Sequence, residues 1–178
     1  TLGEKNAIQR FLCQEITSNG MGLSGWIQGT GYTGEEGVEI FISNGDAILL
    51  WDSLLCHSDV SPVGLGARDT LRLEKGYLLS GQDFLWPGLD GGGGGFPEGF
   101  LARTTSETSV PFGLDLDHDF IGREALLRNM KNESKLWGME CMERGPSPRP
   151  GHRVMNGPEE NSEIIGYVTS GGPSPSKG

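Results

Sequence analysis

Glu39 is the acid whose placement most needs a chemical explanation. It stands inside Val38-Glu39-Ile40-Phe41-Ile42, an otherwise apolar run that reads as a half-buried central strand, where a carboxylate is expensive unless paired. Its basic counterpart lies in 64–83, GLGARDTLRLEKGYLLSGQD, which reads as a buried yet charged helix. At helical pitch Arg68, Arg72 and Lys75 fall within about 60° of one another on one face. Arg68 and Arg72 stand at i and i+4, a spacing at which like charges repel on an isolated helix, so something acidic has to answer them. Two answers are open. Glu39 closes a salt bridge with Arg68 or Arg72, or it grips a planar amidine-like ligand edge, such as the amino-pyrimidine of a pterin, through two parallel hydrogen bonds. In the second case Arg68 meets a carbonyl or carboxylate of the same ligand with its rigid fork. Tyr32 and Trp51 could stack on such a ring, and core packing suits Trp51 better.

Other chemistries find less support. The three histidines, His57, His118 and His152, are isolated in sequence and match no ligand pattern, so each reads as a surface residue and no metal is expected. No Gly-x-Ser-x-Gly elbow is present. Asp115, Asp117 and Asp119 alternate with Leu116 and His118 as an exposed strand or turn face, without the spacing of a calcium loop. Cys13, Cys56 and Cys141 form no CxxC pair and are odd in number, which points to free thiols in a reducing compartment. Asn132-Glu133-Ser134 matches a glycosylation sequon, but nothing else suggests secretion. The net charge of −10 argues against a broad nucleic-acid surface and leaves room for a local basic pocket. No apolar run reaches membrane-spanning length.

The elements that must position these residues follow from periodicity. Ala7, Ile8, Phe11, Leu12 and Ile16 recur at helical spacing over 3–16. Residues 25–30 and 37–43 read as strands joined by a glycine-rich, hairpin-like connection. Asn44 is placed to cap a helix over 45–55, with Ala47, Leu50, Trp51 and Leu54 facing inward. The order helix, strand, strand, helix, helix makes an α+β layer, and 178 residues are enough for its core to form without staples. The stretch 86–99 carries two prolines and five consecutive glycines, Gly91 to Gly95, and reads as a flexible loop. It lacks the Gly-Lys-Ser/Thr ending of a phosphate-binding loop. Beyond it come a short amphipathic helix over 121–128 and strands over 136–141, 153–155 and 164–169. Both ends read as cut, which makes the chain a fragment of a longer protein.

Five motifs then carry a resemblance over nearly the whole chain. GYTGEEGVEI (31–40) resembles the GYTGEDGxE segment of the glycine cleavage system T-protein family, the aminomethyltransferases, and 64–83 resembles that family's GLGARDTLRLExGxxLxGQD. Glu107 fits its TPxEAGLGW stretch, with Phe112 where many members carry Trp. Residues 119–126 fit DFIGREAL and 168–175 fit VTSGxxSP.

The resemblance implies a folate-binding α+β domain of helices packed on an antiparallel sheet, followed by a C-terminal β-barrel domain. Residues 1–85 would be a partial folate-binding region and 86–104 a glycine-rich insertion. Residues 105–134 would be the remainder of that region with a connecting helix, and 135–178 the start of the barrel. The implied reaction transfers the one-carbon unit of an aminomethyl group, held on the lipoyl arm of H-protein, to tetrahydrofolate with release of ammonia. Tetrahydrofolate is the co-substrate, no metal is used, and lipoylated H-protein is the partner, with neither nucleic acid nor membrane. The family's ligand-binding Glu and Arg match Glu39 and Arg68, and Tyr32 and Phe112 are pocket contacts. The family's catalytic aspartate would lie upstream of Thr1 and a further ligand-binding arginine beyond Gly178, so the 178-residue chain alone is expected to be inactive. The compartment would be the cytoplasm in a prokaryote or the mitochondrial matrix in a eukaryote. The alternatives are the folate-binding C-terminal module of a sarcosine or dimethylglycine dehydrogenase, or a non-catalytic folate-binding relative.

Overall fold

A computed structural model describes residues 8–16, 20–85, 95–108, 114–130 and 134–177. The chain divides into two compact units, Thr1–Lys75 and Gly76–Gly178. Both are small α+β arrangements with antiparallel pairing.

The first unit is a three-stranded sheet, in the order β1 (Cys13–Ile16), β2 (Gly25–Gln28), β3 (Glu39–Ile42), followed by α1 (Ala47–Leu55) and α2 (Leu65–Lys75). The expected first helix is not there within the described part of 3–16. Phe11 takes a φ of 66°, a left-handed conformation that interrupts an α-helix, and the segment pairs with β2 instead. The ladder extends past the strand, with Phe11 donating to Gly29 O at 2.9 Å and Gly29 donating to Leu12 O at 2.9 Å. The apolar spacing that suggested a helix yielded to hydrogen bonds that only a neighbouring strand supplies.

β2 and β3 stand where periodicity put them, in the register Trp26↔Phe41 and Gln28↔Glu39. Among the described strands β2 is central and β3 lies at the edge, which reverses the expectation that 38–42 is the central strand. The second helix also differs. It begins after Asp46 rather than Asn44, and Asp46 makes no side-chain cap bond, its Oδ2 accepting from Ser43 Oγ at 3.0 Å. None of α1 is buried, and Trp51 is 53% exposed, so its assignment to the core is corrected. Leu23 and Leu101 are the fully buried apolar residues among those described, far fewer than the core expected from length.

The buried helix read over 64–83 is corrected on both counts: α2 stops at Lys75 with 76–83 outside any helix, and Arg72 is its only buried residue. Gly76 follows Lys75 with a φ of 81°, the left-handed step that closes many helices, and Arg72 and Lys75 in the last turn complement the negative end of the dipole.

In the second unit, Leu85 pairs with 101–103, donating to Leu101 O at 2.6 Å and accepting from Arg103 N at 3.3 Å. Phe96 and Phe100 stack at 5.4 Å, and Tyr167 meets the Phe100 ring edge-on at 5.0 Å, so 95–104 is held by aromatic packing rather than loose. The run 86–94, with most of the glycines read as a flexible loop, lies outside the described residues. α3 (Arg123–Asn129) and the hairpin of β4 (Arg153–Met155) and β5 (Ile164–Tyr167) stand where periodicity put them. The strand expected over 136–141 is instead unladdered chain with Trp137 and Met139 exposed, because no described strand supplies its edge. No described helix is long and apolar enough to cross a membrane.

Candidate functional site

The connection 29–38 leaves the sheet at the pair Gln28↔Glu39 and returns to it there, so Glu39 opens β3 rather than sitting in its middle. Its carboxylate is exposed, and Oε2 accepts a hydrogen bond from Thr30 Oγ1 across the mouth of the loop. Placing Glu39 at the start of an edge strand removes the desolvation penalty that the apolar pattern implied.

The loop lies on α2 at two points. The Arg68 guanidinium carbon stands 4.5 Å from the centroid of the Tyr32 ring, a cation–π contact. Gly34 has a φ of 81°, and a Cβ there would fall 2.4 Å from Cγ and 2.8 Å from Cβ of Lys75. A glycine is thus required twice over, by backbone conformation and by the Lys75 stem. Gly34→Ala is expected to destabilise the first unit by about 1–2 kcal/mol. A urea midpoint unchanged from the parent protein would contradict this.

The three basic residues of α2 meet three different fates. Arg72 is 1% exposed and its Nε donates to Asp69 Oδ1 at 2.7 Å, so a local acid on the same helix answers it. Arg68 is exposed over Tyr32. Lys75 forms no ion pair among the described residues and covers Gly34 with its methylenes. No ion pair joins Glu39 to Arg68 or Arg72 among the described residues. Glu39, Arg68 and Tyr32 therefore belong to one loop-and-helix region, with both charged groups facing water. Phe112 lies outside the described residues.

Sequence reasoning missed two polar clusters of the second unit. Asp83, 2% exposed, accepts from Leu79 N at 2.9 Å, Thr169 Oγ1 at 2.5 Å and Ser170 Oγ at 2.6 Å. Gln82 Nε2 donates to Ser170 Oγ at 2.7 Å. The GQD and VTS stretches had each stood out, but no periodicity links positions so far apart in sequence. The other cluster centres on Arg103, buried with its Cζ 4.6 Å from the Phe100 centroid and Nη1 3.9 Å from Glu107 Oε1. Burial draws this guanidinium below its ordinary value, Glu107 opposes that, and Nε has no hydrogen-bond partner among the described residues. Glu107 is fixed in turn by Thr104, whose N and Oγ1 lie 2.8 and 3.0 Å from Oε2.

The remaining candidates are scattered. His57, His118 and His152 are exposed, and Cys13, Cys56 and Cys141 are exposed free thiols. Among the described residues no three His, Cys, Asp or Glu side chains gather as a metal would need.

Residues 4–85, which hold Glu39, Tyr32 and Arg68, match the model of the GCVT N-terminal domain family. This stretch belongs to that family. The chain is 40% identical over 175 residues to a "Probable aminomethyltransferase" of Haloarcula marismortui, an alignment covering 97% of this chain and 42% of the relative. It is 36% identical to the protein of that name from Natronomonas pharaonis, over 96% of this chain and 42% of the relative. An "Aminomethyltransferase" of Staphylococcus carnosus is 40% identical over 84% of this chain and 37% of its own length. The chain thus spans about two fifths of the curated relatives it matches. The GCVT match covers the sheet, both helices of the first unit and the turn carrying Asp83.

Proposed function

We propose that the full-length protein carrying this chain is the aminomethyltransferase of a glycine cleavage system. It would take the aminomethyl group from the lipoyl arm of H-protein and transfer its one-carbon unit to tetrahydrofolate, releasing ammonia and leaving the arm as a dithiol. The names of the relatives and the GCVT domain match support this reading. The observation that carries it furthest is that neither Glu39 nor Arg68 is tied up in an ion pair among the described residues. A carboxylate that accepts from the Thr30 hydroxyl still has lone pairs on both oxygens for the two N–H groups of a pterin amidine edge. The Arg68 fork, backed by the Tyr32 ring, is free to meet a carbonyl or carboxylate of the same ligand. Residues 135–178 would begin the C-terminal barrel, with β4 and β5 as an antiparallel pair of its strands.

In the full-length protein, Glu39→Gln should weaken tetrahydrofolate binding by about tenfold or more. The amide keeps one acceptor but presents a donor to the second N–H. Anaerobic calorimetry with tetrahydrofolate tests this, and an unchanged Kd would favour a purely structural role for Glu39.

A further inference from the structure

We propose that Thr30 is the positioning residue for Glu39. The inference rests on the folate-binding reading above and adds a residue that no motif singled out. Thr30 lies just past the end of β2 and Glu39 at the first position of β3, so their side chains meet across the neck of the 29–38 loop. Glu39 is exposed at an edge, and the Thr30 hydroxyl is its hydrogen-bond donor among the described residues. A long carboxylate side chain without such a tether samples several rotamers and must be ordered whenever a ligand binds. The Thr30 bond fixes Oε2 and with it the plane of the carboxylate, which two parallel N–H donors have to match. Thr30 is itself β-branched and stiff at χ1, so the hydroxyl holds its direction. The bond also closes the mouth of the loop that carries Tyr32 and, through it, meets Arg68.

The test is a set of variants of the full-length protein, each titrated with tetrahydrofolate under anaerobic conditions. Thr30→Val preserves shape and removes the donor, and should raise Kd about five- to tenfold. Thr30→Ser keeps the hydroxyl and should stay close to the parent value. In the Glu39→Gln background, Thr30→Val should add little, because the carboxylate it orients is gone. If Thr30→Val leaves Kd unchanged while Glu39→Gln weakens binding, the positioning role is wrong and the folate reading stands. If Glu39→Gln itself has no effect, the folate reading fails and the proposal falls with it. Equal losses from Thr30→Val and Thr30→Ser, or a full additional loss in the Glu39→Gln background, would mean that Thr30 acts on the loop and not on the carboxylate, which also overturns the proposal.

Discussion

Asp83→Ala is expected to destabilise the second unit by about 3–4 kcal/mol. The carboxylate is almost wholly enclosed, and its donors include the Leu79 amide and the Thr169 and Ser170 hydroxyls. Truncation would leave those groups facing a small cavity, and a buried donor without an acceptor forfeits about 1–3 kcal/mol. The losses do not add in full, since hydroxyls can rotate and water can enter. Asp83→Asn should lose less, about 1–2 kcal/mol. Its carbonyl can serve Leu79 while its amide donates to the hydroxyls, which are able to accept. Urea unfolding gives the size of the effect. Hydrogen exchange at 164–170 should accelerate most, because that stretch is anchored to 79–83 through this side chain. An Asp83→Ala protein with an unchanged midpoint and unchanged exchange would refute the account.

Arg68→Ala and Arg72→Ala should fail in opposite ways, although the two arginines are one helical turn apart. Arg68→Ala removes an exposed guanidinium resting on Tyr32 and should lower stability by less than about 1 kcal/mol, while weakening tetrahydrofolate binding by ~30-fold or more in the full-length protein. Arg72→Ala empties a fully buried volume and breaks the bond to Asp69, and should destabilise the first unit by about 3 kcal/mol. Its folate affinity, measured on the protein that remains folded, should stay near the parent value. Thermal unfolding and calorimetry on the same samples separate the two outcomes. Equal stability losses, or a binding loss confined to Arg72→Ala, would invalidate the division of roles.

Much of the local structure was legible in order of residues. β2, β3, α3, β4 and β5 stand near where periodicity and turn residues put them, because each is short and its pattern unambiguous, while α2 fills only the first part of the span read as helix over 64–83. The failures share a cause. The segment up to Ile16 has helical apolar spacing, yet its backbone groups pair with β2; residues 136–141 alternate like a strand, yet no described strand pairs with them. A periodicity states which side chains share a face, while the choice between helix and ladder depends on which neighbour supplies hydrogen bonds. The same limit explains Trp51, whose inward spacing is real although no partner surface covers α1 within the described residues.

The sequence by itself determined the kinship of 4–85 and singled out Glu39 and Arg68, because an acid in an apolar strand and paired arginines on a helix face are anomalies visible in residue order. Tertiary structure decided what each charge does. It put Glu39 at an exposed strand end under the Thr30 hydroxyl, gave Arg72 to Asp69, set Arg68 on Tyr32, and buried Asp83 among Leu79, Thr169 and Ser170. Hydrogen bonding and desolvation act over a few ångströms between side chains, and those distances exist only once the chain has folded.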